Sequence, residues 1–159
     1  MTRSGDASDS DPLATQPTKG REPARRAYAP AFASGPISGP AQGSGRRILI
    51  VEDEPFVAVS LQDALNELGF DVVACVADVR TAIEAVARER LDVALLDVKL
   101  GAERVDAVAD LLARRGCPFV FTTGFDERDI PPGHEGRTVL RKPFGSAQLV
   151  SALESVFAR

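Results

Sequence analysis

The chain has 159 residues, 44% hydrophobic and 26% charged, with a formal net charge of −4, one histidine and two cysteines. No basic stripe runs through it, so nucleic-acid binding is not expected, because phosphate contacts need clustered Lys and Arg. No run approaches the roughly 18 apolar residues of a membrane span, which argues against membrane insertion and for a cytoplasmic protein.

Residues 1–45 carry only Met1, Leu13 and Ile37 as large aliphatics, and hold six of the eleven prolines and six of the thirteen glycines. So little apolar surface cannot offset the entropy of ordering, and a disordered N-terminal tail is expected. Arg25-Arg26 followed by Ala27 to Ser34 has the outline of an export signal, but prolines flank or interrupt it and no adequate apolar core follows. Residues 46–159 then form one domain of 114 residues, a normal size for a single core, with fourteen basic and nineteen acidic side chains.

Arg46-Arg47 leads into a first apolar strand, Ile48 to Val51. Pro55 opens a helix with Val57, Leu61, Ala64, Leu65 and Leu68 at helical spacing, and Gly69 ends it. Phe70 to Ala77 reads as a second strand, and Asp78 as the N-cap of a helix with Val79, Ile83 and Val86 on one face. Val93 to Leu96 is a third strand, ending at Asp97. A Leu100-Gly101 turn precedes a third helix over Val105, Val108, Ala109, Leu111 and Leu112, closed by Gly116. Phe119 to Thr122 and Val139 to Arg141 give two more strands, and a last helix starts near Ser146 with Leu149, Ala152, Leu153 and Val156 facing the core. Pro131-Pro132-Gly133 interrupts any regular helix between residues 125 and 136, so a mobile loop or one short turn is expected. Cys75 and Cys117, without CxxC spacing, read as small buried or half-buried thiols, and His134 as a solvated loop residue.

Alternating strands and helices imply right-handed βαβ units and a parallel sheet whose strands share one carboxyl edge. Glu52, Asp53, Asp97, Thr123 and Lys142 should converge there. Three carboxylates about 5 Å apart repel by roughly 3 kcal/mol per pair at an effective dielectric near 20, and a divalent cation relieves that. Mg²⁺ suits one or two carboxylates, retained water and a phosphoryl oxygen, with Asp53 and Asp97 as direct ligands and Glu52 acting through water. The competing reading of Glu52-Asp53-Glu54 is a helix cap. Asp97 is the phosphoacceptor candidate, since a carboxylate attacks phosphorus to give an acyl phosphate. Asp92, five residues earlier on the strand and about 17 Å away, belongs to the opposite edge. Lys142, before a Pro143 that a cis bond would use to aim the side chain, should hold a phosphoryl oxygen. Thr123 should donate its hydroxyl, while Gly124 keeps the space above Asp97 open. Strand alternation sends Thr122 the other way.

Taken together, Val51-Glu52-Asp53-Glu54, Leu95-Leu96-Asp97-Val98, Thr123-Gly124 and Lys142-Pro143-Phe144 resemble the receiver domain of two-component response regulators, over about residues 46–159. Pro118 to Phe125 is similar to a stand-alone alphaproteobacterial subgroup with a Phe-Ala-Thr-Gly-hydrophobic-Tyr signature, with Thr122 in place of Ala and Asp126 in place of Tyr. The resemblance implies a flavodoxin-like (βα)5 three-layer sandwich of strand order 2-1-3-4-5. It implies Mg²⁺ held by Glu52, Asp53, Asp97 and the Lys99 backbone carbonyl. It further implies phosphoryl transfer to Asp97 from a histidine kinase or histidine phosphotransfer protein, with signalling to a downstream protein.

Three departures stand out. Gly101 and Val105 occupy places where receivers carry proline and glycine, so the loop after Asp97 should follow another path. Val139 stands where most carry an aromatic switch residue, so the expected switch moves to the loop holding Phe125, Asp126, Pro131 and Pro132, ordered on phosphorylation. Lys99 occupies the place of the second Asp used by aspartyl-phosphate hydrolases, which argues against that activity. A receiver-like docking scaffold independent of phosphorylation is the alternative.

Overall fold

The computed structural model describes residues 45–124 and 129–158; the expected tail before Gly45, and Phe125 and Asp126 of the expected switch loop, lie outside the described residues. Strands β1 (Arg47–Val51), β2 (Asp71–Val76), β3 (Val93–Asp97), β6 (Phe119–Thr123) and β7 (Val139–Arg141) form one parallel sheet in the order β2-β1-β3-β6-β7. Among these five strands that is the order 2-1-3-4-5. The two extra strands, β4 (Lys99–Leu100) and β5 (Glu103–Arg104), make a short antiparallel hairpin directly after Asp97.

The central strands are covered on both sides, which is why β1, β3 and β6 read as continuous apolar runs rather than alternating ones. Ile48, Ile50, Val93, Leu95 and Val120 pack under α1 (Pro55–Glu67) and α4 (Ser146–Phe157), against Leu61, Leu65, Leu149 and Leu153. Residues of the other parity, among them Leu49, Val51, Leu96, Phe119 and Phe121, pack under α2 (Val79–Arg88) and α3 (Asp106–Arg114). The result is three layers with a core on each face. Each fully buried Leu or Phe contributes about 1.5–3 kcal/mol of transfer free energy.

Local chemistry sets the element ends. Pro55 takes the first helical position of α1, and the Gly69 and Phe70 N–H groups close it on Asn66 and Leu65 carbonyls at 3.0 Å each, with Phe70 and Leu65 both in the core. The Asp78 carboxylate accepts from the Thr81 N–H at 2.9 Å and caps α2. At the amino edge Asp92 accepts from the Arg47 N–H at 2.7 Å, far from Asp97.

Several expectations are corrected. Phe70 is a buried residue preceding β2 rather than part of it. Ile83 is exposed, because Ala82 takes the core position beside Val86 on α2. Cys75 is exposed on the edge strand, whereas Cys117 is buried, and burial pushes its thiol up to about 11. His134 is not solvated: it is 6% exposed, edge-on to Phe119 and Phe121, with Nε2 2.9 Å from Asp110 Oδ1. The described part of the 125–136 segment takes the short turn that was one of its two expected forms. Ile130 joins the core, Pro131 is buried, and a turn closes from the His134 N–H to the Pro131 carbonyl at 3.1 Å, leaving Pro132 exposed. No α-helix lies between Asp129 and Thr138, as the prolines require.

Candidate functional site

Parallel strands deliver their carboxyl ends to one edge, and the chemistry-bearing residues sit there. Glu52 and Asp53 follow β1, Asp97 ends β3, Thr123 ends β6 and Lys142 follows β7. One carboxylate oxygen from each of Glu52, Asp53 and Asp97 lies within 4.8 Å of the others. Glu52 and Asp97 are buried, Asp53 half-buried. The Lys142 ammonium reaches in from the side, donating to Asp97 Oδ2 at 2.5 Å and standing 2.7 Å from Glu52 Oε2 and 3.9 Å from Glu54 Oε1. The Lys142-Pro143 peptide bond is cis.

Burial pushes the Glu52 carboxyl up from 4.5 to about 7, the Asp97 charge adds to this, and the Lys142 ammonium opposes it. Burial would lower the Lys142 ammonium, but its contacts with Asp97 and Glu52 hold it above the ordinary lysine value. Two buried acids and one base thus leave the pocket short of positive charge. The Lys142 ammonium, 2.7 Å away, is the one positive group against Glu52 Oε2 among the described residues, and it is shared with Asp97. Three carboxylates sharing a single ammonium fit a hard divalent cation.

The segment after Asp97 is a hairpin and part of the site; the sequence reading placed Lys99 there but missed the hairpin and the role of Gly101. The Gly101 N–H donates to Asp53 Oδ2 at 2.8 Å, and the Lys99 N–H to Asp97 Oδ1 at 3.1 Å. Gly101 has φ +61, a conformation glycine adopts without the Cβ penalty, and a Cβ there would lie 3.9 Å from Asp53 Oδ2. The Val105 N–H donates to the Val98 carbonyl at 3.2 Å while the Val98 N–H donates to the Thr122 carbonyl at 3.0 Å, so the hairpin is tied to the end of β3 and β6. The only signal in the sequence was the Leu100-Gly101 turn.

Helix capping does not explain the acidic triplet: Glu54 at the N-cap makes no side-chain cap bond, while Glu52 Oε1 accepts from the Glu54 N–H at 3.3 Å. Thr122, not Thr123, is paired in register with Asp97; Thr123 lies one residue further along, its carbonyl accepting from the Lys142 N–H at 2.8 Å. Both threonines are buried. At exposed Gly124 an added Cβ would meet nothing within 4 Å. Val139, in the usual aromatic place, is half-buried against the α2 and α3 core.

Residues 48–154 match the response regulator receiver domain. The chain belongs to this family. Among solved structures, SdrG from Sphingomonas melonis Fr1 is 39% identical with a TM-score of 0.65, the match covering 71% of this chain and 97% of SdrG. The receiver domain of PhyR from Erythrobacter litoralis is 32% identical with a TM-score of 0.62, covering 75% and 94%. The receiver domain of the sensor histidine kinase PA1611 from Pseudomonas aeruginosa PAO1, solved with a magnesium ion in its active site cleft, is 26% identical with a TM-score of 0.63, covering 73% and 100%. The transcriptional regulatory protein PdtaR of Mycobacterium tuberculosis is 29% identical over 130 residues, 79% of this chain and 63% of its own length. The phyllosphere-induced regulator PhyR of Methylorubrum extorquens is 35% identical over 111 residues, 67% and 41%. The receiver thus spans about two fifths to two thirds of these curated relatives. No helix among the described residues is long and apolar enough to cross a membrane.

Proposed function

We propose that this receiver accepts a phosphoryl group on Asp97 from a histidine kinase or histidine phosphotransfer protein and signals in the cytoplasm through protein contacts. The observation that supports it best is Asp97 itself, buried at the end of a fully apolar strand, beside two further acids and in direct contact with Lys142. In the transfer, an Asp97 carboxylate oxygen forms a bond to phosphorus as the donor's P–N bond breaks, and the leaving imidazole nitrogen takes up a proton. Mg²⁺ held by Glu52, Asp53, Asp97 and the Lys99 carbonyl would offset charge on the transferring group. The Lys99 N–H orients the nucleophile. The Lys142 ammonium follows the negative charge from carboxylate to phosphoryl oxygen, and the Thr123 hydroxyl, with Gly124 beside it, completes the cradle. Phe56 and Val59, exposed on α1 just past the acids, favour a protein as donor.

The switch we assign to the segment after Thr123. The Arg104 guanidinium donates to the Asp129 carbonyl at 2.9 Å, joining the hairpin after Asp97 to that segment. This link, with Val139 in the aromatic place, supports ordering of the 125–136 loop on phosphorylation in place of a threonine–aromatic coupling. The altered hairpin and Val139 also favour the scaffold reading. Incubation with acetyl phosphate and Mg²⁺ separates the two: a phosphoacceptor gains one phosphoryl mass that Asp97→Asn does not, whereas a scaffold stays unmodified and keeps its cellular role in the Asn variant.

A further inference from the structure

The edge of the sheet remote from Asp97 carries an apolar groove of about 360 Å³, lined by Arg46, Leu68, Phe70, Val150, Leu153 and Phe157. Leu68, Phe70 and Leu153 are buried in its floor, and half-buried Phe157 stacks on Phe70 with ring centroids 6.4 Å apart. The Arg46 guanidinium lies 3.8 Å from the Phe157 ring centroid, so the rim offers aromatic and cationic faces as well as aliphatic ones. Glu154 adds one acidic group, with no ion pair among the described residues. This volume falls in the range of ordinary binding pockets.

The chain enters the fold at this groove. The Gly45 N–H donates to the Gly69 carbonyl at 3.0 Å, pinning the start of the described chain beside Leu68 and Phe70. Forty-four residues precede it, and their only aromatics are Tyr28 and Phe32, in Ala-Tyr-Ala-Pro-Ala-Phe-Ala directly after Arg25-Arg26. We propose that Tyr28 and Phe32 fold back into this groove, with Arg25 and Arg26 towards Glu154, so that the chain docks its own N-terminal segment at the base of α1 and α4.

Twelve residues separate Phe32 from Gly45. At 5–6 Å × √n, a Gly/Ser-rich chain of that length spans about 20 Å r.m.s., enough to turn back onto a groove that starts at Arg46. Tethering holds the segment at an effective concentration in the millimolar range, an advantage that a second copy or a foreign peptide lacks. The apolar residues and the two arginines match the groove's aromatic wall and its one acidic group, Glu154. The docking is independent of chemistry at Asp97, which sits at the other end of the sheet.

Tyr28 is the sole tyrosine and the chain has no tryptophan, so tyrosine fluorescence reports this segment alone. Acrylamide quenching of the full chain should be several-fold weaker in native buffer than in urea. Phe32→Ser, outside the domain core, should return quenching to the urea value while the far-ultraviolet circular dichroism stays unchanged. Phe157→Glu should do the same from the groove side; if it fails to fold, Phe32→Ser still decides. Equal quenching in native buffer and urea, or protection that survives Phe32→Ser, overturns the proposal. Protection that appears only as protein concentration rises also overturns it, because the contact is then between copies.

Discussion

Glu52→Gln isolates the electrostatic cost of the acidic pocket. In the folded protein burial raises the Glu52 carboxyl to about 7, against 4.5 for an unhindered one. Between those pH values the folded chain binds the extra proton, so stability falls as pH rises from 4.5 to about 7 and is flat above. At about 1.4 kcal/mol for each tenfold in proton affinity, the loss is about 3 kcal/mol. Lys142 does not enter this window, because its raised ammonium titrates only above the ordinary lysine range. Urea unfolding in metal-free buffer should therefore find Glu52→Gln close to the parent below pH 4.5 and more stable by up to about 3 kcal/mol at pH 8. Saturating Mg²⁺ should stabilise the parent more at pH 8 than at pH 5 and reverse the order of the two proteins at pH 8. A variant that is less stable than the parent at pH 8 without metal, or a difference that does not change with pH, would refute the reasoning.

Lys142→Met leaves Glu52 and Asp97 buried without their counter-ion, and should cost about 3–5 kcal/mol at pH 8 in metal-free buffer, with much of the loss recovered at pH 5. Chemical denaturation at the two pH values checks this; equal losses would count against it. His134→Ala empties a site walled by Phe119 and Phe121 and should destabilise by about 2–4 kcal/mol, seen as a lower urea midpoint; a change within error would show that the imidazole is not packed there. Gly101→Ala forces φ +61 on a residue with a Cβ and should cost more than about 1 kcal/mol while weakening Mg²⁺ binding, read by titration calorimetry, through the lost hold on Asp53. Hydrogen exchange over residues 125–136 should slow when a beryllofluoride adduct forms on the parent, and change less in Arg104→Ala, which lacks the link to Asp129; identical protection with and without the adduct would remove the proposed switch.

The fold was legible because its strands are short apolar runs ending in ionisable residues, and the helix ends carry Pro55, Gly69, Asp78 and Gly116, whose local chemistry does not depend on distant contacts. The clustering of Glu52, Asp53, Asp97 and Lys142 followed from one topological rule, that parallel strands share a carboxyl edge. What escaped the sequence was tertiary. His134 looked solvated because a proline-rich stretch around a lone histidine usually is, and only the closeness of α3 supplies the Asp110 partner and the aromatic walls. Ile83 and Ala82 exchange places because periodicity fixes a face only to within one residue, and the smaller side chain sits where α2 meets the sheet. The hairpin that brings the Gly101 and Lys99 N–H groups onto the carboxylates is two residues per strand, too short for any periodic signal.

The central claim is that Asp97 carries an acyl phosphate. Borohydride reduces such a mixed anhydride to an alcohol, converting the labelled aspartate to homoserine, a change tandem mass spectrometry locates to one residue. After acetyl phosphate and Mg²⁺, the account predicts homoserine at position 97 and nowhere else, lost on chelation of the metal and in Asp97→Asn. An unreduced chain, or homoserine at Asp53 or Asp92 instead, would contradict it.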